Sequence, residues 1–150
     1  KAFRVHLDNY FVWNLDRFSF GGVFDAGWER AMDLPGQPHV SWYEGALFVR
    51  GTPWKGKKAQ LDLAARPEVM WDRDGRMFGV PQTLISGTVT AAFPAFGVLI
   101  PRIEYRYDHS TAAGGFFFRG DAITPDATGL ARHQHIVAIN LVGQFRWTPP

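Results

Sequence analysis

The chain has 150 residues and a formal net charge of +2; 46% of its residues are hydrophobic, 15% are aromatic, and none is cysteine. This length normally gives one domain with a sizeable core, and the lack of cysteine excludes a disulfide framework and thiol catalysis. No run of about 18 apolar residues is present, so membrane contact would have to come from strands rather than helices.

Apolar and polar residues alternate in seven segments, which predicts seven β-strands, because successive side chains of an extended chain point to opposite faces. In chain order the segments span residues 2–15, 18–29, 39–51, 59–72, 83–93, 97–111 and 133–147. Helical periodicity is absent at useful length. The basic residues are interleaved with Asp and Glu, which argues against a nucleic-acid-binding surface.

The segment GVLIPRIEYRYDHST, residues 97–111, shows the alternation most clearly. Its apolar parity contains Leu99, Pro101, Ile103, Tyr105 and Tyr107, and its ionic parity contains Arg102, Glu104, Arg106 and Asp108. Such a strand has one apolar face and one fully ionic face. Segment 59–72 has the same character, with Leu61, Leu63 and Val69 opposite Asp62, Arg66 and Glu68.

The predicted connections alternate between short and long, which is typical of bacterial outer-membrane barrels with tight periplasmic turns and extended external loops. The connections at 14–17 and 94–97 are short, the one at 52–58 is moderate, and those at 30–39, 72–82 and 109–132 are long. Five tryptophans lie near strand ends, where indoles favour the boundary between water and lipid. They are Trp13, Trp28, Trp54, Trp71 and Trp147.

A soluble sandwich also shows alternation, but the clear segments run to roughly 12 to 15 residues, against a usual ~5 to 6 in soluble sheets. We therefore expect an all-β fold, namely a transmembrane antiparallel up-and-down β-barrel. Bacterial barrels contain an even number of strands. Seven strands, and a start at KAFRVHLDNY without a methionine or signal region, predict that residues 1–150 are the C-terminal part of one larger barrel domain.

The stretch VLIPRIEYRYDHSTAAGGFFF, residues 98–118, and the later RHQHIVAINLVGQFRW, residues 132–147, resemble the C-terminal end of the OmpL-like beta-barrel porins of Gram-negative bacteria. GGVFDAGWERAMDLPG at 21–36 and RPEVMWDRDGRMFG at 66–79 resemble the preceding hairpins of that family. The resemblance implies an outer-membrane location and a porin-like role, and it carries over no functional residues beyond wall positions.

In a barrel of this kind the ionic parity would line a hydrated lumen. The candidate pore-lining residues are Arg4, His6, Asp8, Asp25, Glu29, Glu44, Asp62, Arg66, Glu68, Arg102, Glu104, Arg106, Asp108 and Arg146. The same charges could instead pair between neighbouring strands and hold the wall together without touching a solute. Phe116, Phe117 and Phe118 lie in the longest loop, where they could form a constriction in the lumen or pack onto a partner or another loop.

Other motifs give weaker signals. Asp72, Asp74 and Gly75 resemble a calcium loop, but the downstream glutamate is missing and a polar turn is favoured. His133 and His135 share a strand face and are interpreted as boundary residues rather than metal ligands. Asp108, His109 and Ser110 are strand neighbours that point in opposite directions, which argues against a catalytic triad. The RGD at 119–121 is interpreted as a coincidence.

The sequence thus predicts a porin-like channel for passive diffusion of small hydrophilic solutes, with no catalytic residues, no metal and no cofactor. The alternative is a structural outer-membrane barrel that conducts nothing and anchors or encloses a partner protein. An outer-membrane enzyme is the least favoured class, because no set of acid, base and nucleophile can be assembled. The expected partners are outer-membrane lipid and further strands or other envelope protein chains.

Overall fold

One antiparallel sheet dominates the computed structural model, which describes residues 3–94, 99–118 and 129–143. The strands are β1 Arg4–Asn14, β2 Phe18–Arg30, β3 His39–Lys55, β4 Gln60–Asp72, β5 Gln82–Ala92, β6 Leu99–Ser110, β7 Phe117–Phe118, β8 Leu130–Ala131 and β9 His133–Gly143. Seven of them form the main sheet in the order β1-β2-β3-β4-β5-β6-β9. The predicted all-β, up-and-down arrangement is confirmed, and the sheet is open, with β1 and β9 at its two ends.

The alternation of short and long connections is confirmed, with one correction to a strand boundary. Residues 52–55 belong to β3 rather than to a connection, because the register shifts between Gly51 and Trp54 and pairing with β4 then resumes. The turns at 15–17 and 56–59 are short, whereas the loops at 31–38 and 73–81 and the described residues 111–118 and 129–132 lie at the opposite end of the sheet. We call these two ends the turn end and the loop end.

The sheet buries polar side chains and exposes apolar ones, the reverse of a water-soluble domain. Glu29 and Asp108 are only 5% and 4% exposed, whereas Phe11 and Leu63 are 56% and 46% exposed. A flat single layer would leave both faces equally open to solvent, so we infer from this asymmetry that the sheet is curved around its polar face. We call the polar side the inner face and the apolar side the outer face.

Tryptophans mark both ends of the outer face. Trp28 and Trp71 lie near the loop end, and Trp13 and Trp54 lie near the turn end, all with exposed side chains. Trp71 stacks on Tyr43 with ring centroids 5.6 Å apart. The predicted position of these four near strand ends is confirmed, while Trp147 lies outside the described residues. Within the described ranges, no helix is long and apolar enough to cross a membrane.

Candidate functional site

The inner face of β4, β5 and β6 carries a network of ion pairs centred on Arg106. Its guanidinium donates to Glu68 over 2.6 Å, to Asp108 over 2.8 Å and to the Ser86 hydroxyl over 3.0 Å. The strand register places Glu68, Ser86 and Asp108 side by side on three neighbouring strands. Arg66 adds a second cation to Glu68 over 2.9 Å, so both carboxylates here are neutralised by arginine.

A second paired carboxylate, Asp62, lies on the same face toward the turn end. Arg50 donates to it over 2.6 Å, the Thr52 hydroxyl over 2.7 Å, and the amide of Gln60 over 3.1 Å. The sequence analysis had identified Asp62 but neither Arg50 nor Thr52, although both share the parity of Glu44 on β3; residue 52 had been assigned to a connection rather than to the strand.

The inner face of β1, β2 and β3 is different, because three carboxylates lie in one cross-strand row and form no ion pair with an arginine that the structure describes. Asp8 pairs in register with Asp25, and Asp25 pairs in register with Glu44. None of the three forms an ion pair with a described cation. One carboxylate oxygen of Asp25 is buried without a hydrogen-bond partner. We call these residues the acidic row.

Two further candidates occupy intermediate positions on β6. Glu104 accepts a hydrogen bond from the Thr90 hydroxyl over 3.0 Å, while the Nε of Arg102 is buried without a described partner. His6 lies on the inner parity of β1, opposite Gly27. All described candidate wall residues therefore share the inner face, and Arg146 lies outside the described residues.

The loop end of the inner face holds a compact cluster that sequence reasoning only partly anticipated. Arg4 donates to Glu29 over 2.5 Å, and its guanidinium stands 5.5 Å from the ring centre of Trp42. Arg76, from the 73–81 loop, contacts the same Glu29 and also donates to Asp33 over 2.8 Å. Glu29 and Arg4 had been predicted as wall residues, whereas Arg76 has no periodic signal because it lies in a loop.

Charge pairing between the two loops alters their ionisation. The hydrogen bond from Arg76 holds the pKa of the Asp33 carboxyl below its ordinary value. The same contact, together with Glu29, raises the pKa of the Arg76 guanidinium above its ordinary value. Both groups are thus charged throughout the neutral range.

Asp72 and Asp74 act as structural acceptors, in agreement with the favoured interpretation of this motif as a polar turn. Asp72 is fully buried and accepts hydrogen bonds from the backbone N–H groups of 76, 77 and 78, each over 2.8 Å. Asp74 accepts from the backbone N–H of Ser41 over 2.9 Å. No group of three or more His, Cys, Asp or Glu within the described ranges is arranged to hold a metal ion.

Among the three loop phenylalanines, Phe116 packs against Phe78 of the neighbouring 73–81 loop, with ring centroids 5.4 Å apart. Phe117 contacts Phe116 edge-on and Phe118 is 80% exposed. The sequence left open a constriction in the lumen or packing onto a partner or another loop, and Phe116 packs onto another loop. The RGD at 119–121 lies outside the described residues.

Three histidines, His109, His133 and His135, lie on the outer face near the loop end, where they form a hydrogen-bonded group with two tyrosines. The Tyr105 hydroxyl is 2.8 Å from Nδ1 of His135, and the Tyr107 hydroxyl is 3.0 Å from Nδ1 of His133. His109 stacks on His133 with ring centroids 5.0 Å apart. His109 therefore faces away from Asp108, which points to the inner face.

Comparisons of the chain with protein-family models, with curated proteins and with solved structures gave no match. The arrangement of the two faces is therefore the basis for a functional proposal.

Proposed function

We propose that this chain forms part of the wall of a transmembrane β-barrel in the outer membrane of a Gram-negative bacterium, and that the barrel is a porin-like channel for small hydrophilic solutes. The observation that carries the proposal is the inverted placement of side chains. Buried charge on a curved inner face suits a hydrated lumen, and exposed large apolar side chains on the outer face suit contact with lipid.

The dimensions of the outer face support a membrane setting. Trp54 pairs with Leu61 at one end of β4, and Trp71 lies ten residues further along. Ten residues extend about 33 Å along a strand, which gives roughly 25 Å of height at a tilt of ~40°. Outer-membrane barrels carry an apolar band about 25 Å tall between two aromatic girdles.

The direction of the end strands determines what would close the barrel. β1 and β9 both run from the loop end to the turn end. An odd number of additional strands would close the ring with antiparallel neighbours throughout. The first of them, next to β9, would run from the turn end to the loop end. We infer that residues 1–150 are the C-terminal part of such a barrel, in line with the resemblance to OmpL-like porins, and that lipid and the additional strands are their partners.

A second candidate is a structural barrel that conducts nothing. The ion pairs around Arg106 and Asp62 favour it, since charges satisfied by neighbours can hold a wall together without a solute. The acidic row favours the channel, because three adjacent carboxylates that form no ion pair with a described cation are better accommodated beside mobile water and ions than in a closed interior. Neither proposal includes a catalytic activity.

Planar-bilayer recordings on the intact protein test this proposal. Stepwise conductance after insertion is the expected result, with heat-denatured protein at the same concentration as the control. Insertion without conductance, established by protection of the strands from protease in liposomes, would replace the channel with the structural barrel.

A further inference from the structure

The loop at 73–81 connects β4 to β5, yet its side chains reach strands further along the sheet. Arg76 contacts Glu29 on β2, and Asp74 binds the backbone of Ser41 on β3. Neighbouring strands are about 4.8 Å apart, so a contact from β4 to β2 spans roughly 10 Å across the sheet. Because Glu29 points to the inner face, the loop lies over that face rather than extending away from it.

The loop has one defined shape. Its first turns are held by the buried carboxylate of Asp72, and the backbone N–H of Gly79 donates to the carbonyl of Gly75 over 2.9 Å. Gly75 has φ +70°, and a side chain there would come within 2.9 Å of the backbone at Val80 and Pro81. A loop fixed in this way can hold Arg76 in place without a large entropic cost.

Two inner-face side chains beside the loop contacts at Glu29 and Ser41 are deeply buried. Trp42 is 5% exposed and packs where Gly27 leaves room for its ring, and Val40 beside it is 3% exposed. Arg76 itself keeps 26% of its side chain exposed. The loop is thus anchored beside a tightly packed part of the inner face on β2 and β3, and Arg76 remains partly exposed there.

We propose that the 73–81 loop is the constriction of the channel at its loop end, and that Arg76 is the positioning residue that latches it onto Glu29 and Asp33. This inference rests on the proposed channel function and assigns the narrowing to this loop rather than to Phe116, Phe117 and Phe118. Phe116 supports the loop from the other side by packing on Phe78. Loss of the latch frees the loop and widens the path for solutes.

The test compares Arg76→Gln with Arg73→Gln in the intact protein. Both variants remove one positive charge from the same loop, but Arg73 is exposed and forms no ion pair among the described residues. Hydrogen exchange of residues 73–81 reports the latch, and single-channel conductance reports the constriction. We expect Arg76→Gln to speed exchange in the loop about tenfold, as the loss of charged hydrogen bonds implies, and to raise conductance. Arg73→Gln should leave exchange unchanged.

Equal exchange in the two variants would overturn the latch, whatever the conductance. Faster exchange in Arg76→Gln with a conductance equal to that of Arg73→Gln would overturn the constriction while leaving the channel intact. If neither the wild type nor the variants conduct, the channel function itself is contradicted. The hydrogen-exchange result would still show whether Arg76 latches the loop.

Discussion

Asp25 and Glu44 are direct cross-strand neighbours on the inner face, and neither forms an ion pair with a described cation. Glu68, one strand further along, is held by both Arg66 and Arg106. Compensation of charge on the inner face is therefore uneven, because the acidic row forms no ion pair with a described cation whereas Glu68 is paired with two arginines. Uncompensated wall charge has the larger effect on which ions enter a pore.

Neutralising the acidic row should reduce the cation preference of the proposed channel. In Asp25→Asn/Glu44→Gln we expect the reversal potential under a salt gradient to shift toward zero, with the larger shift at low salt because ions screen charges beyond about 10 Å at 0.1 M. Asp16→Asn removes a carboxylate that is 99% exposed in a turn and serves as the control. An unchanged reversal potential in the double variant would mean that ions do not pass this row.

Removing arginines from the inner face should have the opposite effect. Arg102→Gln/Arg106→Gln leaves Glu68 and Asp108 with less neutralising charge, so cation preference should rise in low-salt recordings and change less at high salt. Arg17→Gln/Arg73→Gln removes two exposed arginines, one from the turn at 15–17 and one from the 73–81 loop, and controls for net charge. If conductance persists and selectivity stays the same, the arginines serve the architecture of the wall alone.

The two faces should respond differently to a charged substitution. Leu63→Arg places a charge on the outer face and should lower the free energy of unfolding by about 2–4 kcal/mol if it lies near the bilayer midplane, whereas Ala64→Arg points to the inner face and should cost little. Urea unfolding in lipid vesicles measures both. Equal losses at the two adjacent positions would contradict the assignment of the outer face to lipid.

Acid should release the link between the 31–38 and 73–81 loops. Arg76 depresses the pKa of Asp33. The stabilisation that the Asp33–Arg76 ion pair gives to the link between the loops is therefore fully present above the ordinary aspartate value of 3.8, and it is lost as pH falls through the lower folded value. Hydrogen exchange in residues 73–81, corrected for intrinsic rates, should therefore be the same at pH 7 and pH 5 and rise only below 3.8. In Asp33→Asn this rise in exchange at low pH should be absent. A rise as large as in the wild type would mean that another group, such as Glu29, is responsible for it.

The sequence predicted strands better than loops, for a physical reason. Alternation is a local property of an extended chain, so the segment predicted at 59–72 is observed as Gln60–Asp72. The end of β3 was wrong because Gly51 and Pro53 are turn-forming residues, yet a shifted register accommodates them within the strand. The contact of Arg76 with Glu29 joins residues 47 positions apart and leaves no trace in periodicity.

The antiparallel order of the sheet has a kinetic consequence. Each pairing joins strands that follow one another, except that β6 reaches β9 across the 111–132 loop, so the sheet can form hairpin by hairpin with little loss of chain entropy. In the proposed barrel the additional strands precede β1, so the seam would join β9 to the first of those strands and would be the contact of longest range. We expect that step to limit the folding rate, and until it occurs β9 presents unpaired backbone groups through which chains aggregate.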